Sequence, residues 1–388
     1  MATALKFLAY AVLSLFGFAA IGSLIPAIPV LGELGPILTS TAGPWVTLIS
    51  LFGAVWLFLR SRRNRRRRTY FVAALAATAA LGFGYVQSQQ ISVARANGVG
   101  IDMTQALFAT SQNAASPKPE TVIYAAYDGQ KLPLDIYRPA SGSRPAPVIV
   151  YIHGGGWVSQ TLKQREADYR WFVAHGYLVI SLEYSLSTDK RHTWNVVEPQ
   201  LGCALAWVGA NAGRYGGDAS KLALWGESAG GNLVLNISYR GNAGTLKPSC
   251  TGTMPHIVAA LALYPVVDPA RMYRPVDSVL GGFGRMMGDN YTGGSPEKFP
   301  DRYMAIASAT HIGAKAPPTL LIVPEADHLV DPQAAYFFEA RARAAGIPTR
   351  LIKVPYAEHA FDLRSGSIGN QLVRRAMLRF LDEHGMRA

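Results

Sequence analysis

Apolar positions along this chain fall into two regimes. Over the first ninety residues they run on without a period. The windows 7–32, 34–59 and 69–94 each hold 26 residues without a charge, where a bilayer-spanning helix needs about 20 apolar residues. Their cores read FLAYAVLSLFGFAAIG (Phe7–Gly22), VTLISLFGAVWLFL (Val46–Leu59) and YFVAALAATAALGFGYV (Tyr70–Val86). A buried helix of a soluble protein would carry polar positions at helical spacing, and these runs have almost none. The pattern predicts a transmembrane segment over residues 1–90, with helices at about 5–25, 44–60 and 69–87. A cleaved signal peptide is the alternative for the first run. Lys6 would then be its whole basic n-region, and the two later runs would still span.

From residue 120 onward the pattern changes to short apolar runs alternating with amphipathic stretches. Residues 91–119 are polar and broken by Gly and Pro, which predicts a linker or a short docking segment. TVIYAAY and LPLDIYRP alternate around Asp128-Gly129, a hairpin signal. Continuous apolar runs follow: PVIVYI (Pro147–Ile152), YLVISLEY (Tyr177–Tyr184), LALWG (Leu222–Gly226), IVAALALYP (Ile257–Pro265), TLLIVP (Thr319–Pro324) and TRLIKVP (Thr349–Pro355). Such runs suit parallel strands buried on both faces. READYRWFVAHG, VVEPQLGCALAWVGANAG and PQAAYFFEARARAAG lie between them as helices, each predicted to stop at its final glycine. The alternation predicts an α/β domain over 120–388, a mostly parallel sheet with helices on both faces.

Charge sharpens this division. The chain has 388 residues, a net charge of +12, 49% hydrophobic and 16% charged residues, and two cysteines. Disorder, collagen and a small disulfide scaffold are thereby excluded. Residues 1–88 hold eight Lys or Arg and one acid, whereas the other 300 hold 29 and 24, so the basic excess is local. It concentrates in RSRRNRRRR, with Arg60, Arg62, Arg63 and Arg65–Arg68. Read alone, that run could bind nucleic acid. Wedged between two spanning helices, it reads instead as a cytoplasmic loop obeying the positive-inside rule, so no nucleic-acid partner is expected. The chain after about residue 90 would then be extracytoplasmic, on a multi-pass cell-membrane protein.

Two segments carry chemistry on their own residues. Gly226-Glu227-Ser228-Ala229-Gly230 matches G-x-S-x-G and stands between the strand LALWG and the helix-like AGGNLVLNISY. A strand-to-helix turn of this kind strains the serine and exposes it, with helix N–H groups aimed at the site. His153-Gly154-Gly155-Gly156-Trp157 directly follows PVIVYI. Three glycines beside a core strand cost chain entropy. They let backbone N–H groups come close to an oxyanion, where each donor is worth about 2.7–4 kcal/mol of barrier.

With HGGGW about 75 residues ahead of GESAGG, each after a strand, residues 120–385 resemble the α/β-hydrolase superfamily and, within it, the hormone-sensitive-lipase-like carboxylesterases. One departure is Glu227, where those esterases more often have Asp. The resemblance implies a Ser-His-Asp esterase or lipase with Ser228 as nucleophile. Gly154, Gly155, Gly156 and Ala229 would be its oxyanion donors, and His153, Trp157 and Glu227 supporting residues. The superfamily places its acid in the loop after a late strand, which implies Asp327 in EADHLVDP, with Glu325 the rival. Asp331 reads as the cap of the following helix, with Pro332 at its first position. The base falls after the final strand, which implies His359 in YAEHAFD and keeps the order Ser, Asp, His.

The resemblance further implies small-molecule or lipid esters, with a short to medium acyl chain, as substrates, while the three apolar runs imply membrane lipid as surroundings. It implies no cofactor and no metal, and the sequence sets no oligomeric state. Relatives that cleave prenylcysteine methyl esters supply an alternative substrate class. Amide or peptide hydrolysis on the same fold, and a non-catalytic binding module, are the other functional alternatives. Residues 266–300 interleave Met272, Tyr273, Phe283, Met286, Met287 and Tyr291 with six glycines. They are either a cap that receives an acyl chain or a surface loop. Cys203 and Cys250 are either two thiols or one disulfide.

Overall fold

The computed structural model describes residues 2–64, 66–109, 118–140, 145–274 and 280–388. Part of the linker, one arginine of the basic run and residues 275–279 of the candidate cap lie outside them. Three long helices come first: α1 (Ala2–Leu24), α2 (Leu31–Asn64) and α3 (Arg67–Ala96). All three are long and apolar enough to cross a membrane. α3 runs beyond its apolar core, and α2 starts at Leu31 rather than near 44, with Pro36 and Pro44 inside it, and continues to Asn64. A short helix, α4 (Met103–Phe108), follows, capped by Asp102, whose carboxylate accepts from Thr104 N and Gln105 N.

The rest alternates as the pattern predicts. β1 (Glu120–Tyr127) and β2 (Gln130–Tyr137) form the antiparallel hairpin, with Asp128 at φ 50° and Gly129 at φ 77° in its two-residue turn. Then come β3 (Ala146–Ile152), α5 (Glu166–Ala174), β4 (Leu178–Leu182), α6 (Val197–Asn211), β5 (Gly217–Glu227), α7 (Ala229–Ala243) and β6 (Ala259–Leu263). Three shorter helices, α8 (Pro269–Tyr273), α9 (Gly281–Thr292) and α10 (Pro300–Ile306), precede β7 (Thr319–Pro324), α11 (Pro332–Ala344), β8 (Thr349–Val354) and α12 (Ile368–Glu383). The sheet order is β1-β2-β4-β3-β5-β6-β7-β8, with β4, β3, β5, β6 and β7 paired in parallel. Every position of β3, β4, β6 and β7 is buried, as expected of strands covered on both faces.

One helix stop differs from expectation. The α6 run passes Gly213 in a 3-10 turn and ends at Gly216, which takes φ 80°. Gly213 keeps helical geometry, and the turn residue is the next glycine, where a left-handed conformation is needed. Cys203 of α6 is joined to Cys250 by a disulfide.

By its internal contacts the chain divides into two compact units. The larger comprises 112–323, 329–352 and 377–388 and contains the main core, with Val150, Ile152, Leu224, Leu233 and Ala262 all fully buried. The other contains residues 1–111 together with 324–328 and 353–376. In it the long helices approach closely through small side chains. Ala20, Ala76 and Ala79 are fully buried, and a Cβ on Gly53 would stand 2.7 Å from Leu13 Cδ2. Small residues at such crossings are what membrane helices use in place of a hydrophobic driving force.

Candidate active site

In the larger unit, parallel pairing of β3 with β5 sets Ile152 opposite Gly226. The loop that leaves β3 therefore lies beside the turn that leaves β5. Ser228 occupies that turn at φ 55°, ψ −120°, a region costly for a residue with a Cβ, and its own N–H is held by the Leu263 carbonyl (2.9 Å). Ala229 opens α7, so its N–H belongs to the helix's unsatisfied first turn. Glu227 is buried and accepts from the Tyr151 hydroxyl.

The glycine loop is shaped to lie against this turn. A Cβ on Gly154 would stand 2.8 Å from the Glu227 carbonyl and 3.4 Å from Ser228 Cβ. Gly155 has φ 88° and Gly156 φ 61°, and side chains there would also strike Ser159 and Met287. His153 fixes the loop from below. Its Nε2 donates to Glu183 Oε1 (2.9 Å), its Nδ1 faces the Gly154 carbonyl (3.0 Å), and its ring stacks on Tyr184 at 4.2 Å. The Tyr184 hydroxyl in turn donates to the carbonyls of His153 and Gly154. Trp157 is fully buried and stacks on Tyr291 of α9 at 4.4 Å. Tyr291, with Met287 against Gly156, brings the glycine-rich insert onto the loop. Gly284 and Gly288 are buried there, where side chains would meet the Met272 carbonyl and the Tyr303 hydroxyl.

In the smaller unit, His359 Nδ1–H donates to Asp327 Oδ2 at 2.7 Å. The Asp327 side chain is 1% exposed and that of His359 13%. Burial alone would lower the imidazole pKa, but the Asp327 charge and hydrogen bond, with Glu358 and Asp362 nearby, outweigh it and hold His359 above its ordinary 6.5. The bond fixes the tautomer and leaves Nε2 as the basic nitrogen. Backbone strain flanks the base, with Tyr356 at φ 57° and Ala360 at φ 61°. Asp331 caps α11, accepting from Gln333 N, as its place before Pro332 predicts.

Two residues of this pair's surroundings were not foreseen. One Glu358 oxygen accepts both His328 N (2.9 Å) and His359 N (2.8 Å), and the other faces His328 Nδ1 at 2.5 Å. A single buried carboxylate thus clamps the Asp327 loop to the His359 loop. His328 Nε2–H donates to the Pro26 carbonyl in the α1–α2 turn at 3.0 Å. Adjacency to Asp327 and His359 was the one sign available in the sequence.

The BD-FAE family model matches residues 134–341, more than half of the chain. Esterase LipQ of Mycobacterium tuberculosis is 28% identical over 260 residues, covering 65% of this chain and 59% of LipQ. The probable carboxylic ester hydrolase LipM of the same organism is 28% identical over 359 residues, 84% of this chain and 80% of LipM. The chain thus spans about three fifths of LipQ and four fifths of LipM. Among solved structures, a thermophilic esterase of Thermogutta terrifontis with propionate bound superposes with a TM-score of 0.58 over 70% of this chain and 96% of that one, at 24% identity. That likeness is one of fold, and it agrees with the parallel sheet and its strand-to-helix turn. The chain belongs to the BD-FAE family and shares the fold of that esterase.

Proposed function

We propose that this protein is a membrane-anchored serine carboxylesterase that hydrolyses carboxylic esters through an acyl-enzyme. Ser228 attacks the ester carbonyl, and His359 takes its proton and returns it to the leaving alcohol. Asp327 orients the imidazole and stabilises the imidazolium that forms. N–H groups of the Gly154–Gly156 loop and of Ala229 receive the oxyanion. Water then repeats the cycle on the acyl-enzyme, with His359 again as base. The single observation that carries the reading is the strained Ser228 at the head of α7, with Gly154 packed against it.

The three apolar helices are the anchor, with the arginines around the α2–α3 junction on the cytoplasmic side and the catalytic residues on the other. The insert around α9 acts as a cap, a reading supported by Met287 beside Gly156 and Tyr291 stacked on Trp157, and the resemblance to esterases implies a short to medium acyl chain. Hydrolysis of p-nitrophenyl esters from acetate to palmitate by the full chain tests the proposal. Turnover with an optimum below the longest chains, abolished in Ser228→Ala, is expected. Turnover that survives in Ser228→Ala, or none from folded protein, would refute it.

A further inference from the structure

The acid and base loops are tied to one end of the helix bundle, the end remote from the arginines. His328 bonds the Pro26 carbonyl in the α1–α2 turn, and Gln90 of α3 donates to the Pro355 carbonyl (3.2 Å). Tyr85 of α3 packs edge-on to Tyr356, three residues before His359, with ring centroids 6.0 Å apart. At 1.5 Å per residue, Tyr85 and Gln90 lie about 26 and 33 Å along α3 from Arg68. The hydrocarbon core of a bilayer is about 30 Å thick. With the anchoring proposed above, which sets Arg68 at the near face, these contacts bracket the far boundary.

Side chains around them fit that depth. Trp45 of α2 donates its indole N–H to the Leu107 carbonyl (2.8 Å) and meets the Phe108 ring edge-on at 5.4 Å. Aromatic rings with one polar tip collect at such boundaries. Ile25 and Val30, on either side of Pro26, are exposed, and so are Met103 and Phe108 on α4. Exposed large apolar side chains at this end of the helices suit an apolar surrounding. Asp327 is bonded to His359 and directly precedes His328, so the acid–base pair is fixed at the height of this boundary.

We infer that the ester cleaved here is an amphiphile resident in the same bilayer as the helices, presented with its carbonyl at the polar–apolar boundary. The inference rests on the serine-esterase reading above and adds where the substrate comes from. A base fixed at that height gains nothing for an ester arriving from bulk water. For an ester confined to the leaflet it removes one dimension of the search and sets the depth of the reacting carbonyl.

The test uses the full chain reconstituted in phosphatidylcholine vesicles. The probe is a dialkylglycerol with two ether-linked chains whose only ester is a p-nitrophenyl ester at the headgroup, which keeps it from exchanging between vesicles. It is placed either in the protein's own vesicles or in separate ones, with soluble p-nitrophenyl butyrate as the reference. At least about tenfold faster release of p-nitrophenol from the shared vesicles is expected, the two arms differing only in effective concentration. Equal rates in the two arms would overturn the inference, as would butyrate turnover without probe turnover in either arm. Failure to cleave butyrate and probe alike would overturn the esterase reading itself.

Discussion

Ser228 and its glycine loop stand on β3 and β5, neighbouring strands at the centre of the sheet. Asp327 and His359 stand on loops that pack with three apolar helices. The geometry around Ser228 is built from backbone: a parallel register, a serine at positive φ and glycines that leave no room for a side chain. The surroundings of the Asp327–His359 pair are built from side chains, with one buried glutamate holding two backbone N–H groups and one histidine reaching a helix turn. Backbone-defined sites tolerate few substitutions and show themselves as short motifs. Side-chain clamps work across long sequence separations and leave little trace in the sequence.

The comparison can be broken from either side. Asp327→Asn should cost the most, about 10⁴-fold in kcat, by loss of the tautomer and orientation of His359. It should also move the acid limb of the kcat/KM profile. His359 must be neutral to act, and its pKa is held above 6.5 chiefly by Asp327 against burial, so the wild-type limb lies above 6.5 and the variant's limb falls. A limb left in place by the substitution would disprove the coupling.

Gly154→Ala comes next, with an expected loss of about 10²–10³-fold in kcat from one misplaced oxyanion donor. Its Cβ must displace the Glu227 carbonyl, 2.8 Å away. Circular dichroism should report an unchanged fold, and unchanged kcat would remove this loop from the chemistry.

On the other side, Glu358→Gln keeps an oxygen for the two N–H groups but sets an amide against His328 Nδ1. About tenfold lower kcat at constant KM is expected, as for a base held slightly out of line. His328→Asn still reaches Glu358 but not Pro26, so its loss should be smaller. Changes in KM alone for both would mean that the clamp shapes binding instead. The smallest effect on activity is expected from the double variant Cys203→Ser, Cys250→Ser. It should leave kcat unchanged and lower the melting temperature, since closing this loop contributes up to about 4 kcal/mol.

How much of this was legible in the sequence follows the same division. The strand runs, the Asp128-Gly129 hairpin and the two glycine motifs were readable because each is a local requirement of backbone geometry. Asp327 and His359 were named from the resemblance to a superfamily, and the two are hydrogen-bonded to each other. Glu358 was passed over because its partners, His328 N and His359 N, are joined only when loops 30 residues apart meet. The packing of Tyr291 on Trp157 was hidden in the same way, 134 residues apart in number and 4.4 Å in space. The stop expected at Gly213 failed because a 3-10 turn costs little after an α-helix, and the next glycine was free to take the left-handed conformation.

The most direct test of the account is covalent trapping. The full chain is incubated with a p-nitrophenyl alkylphosphonate, and the intact mass and the modified peptide are determined. One phosphonyl group per chain on Ser228, with one equivalent of p-nitrophenol released and the rate reduced at least about 10³-fold in His359→Ala, is the predicted result. A label on another residue, no label on folded protein, or a rate indifferent to His359 would contradict it.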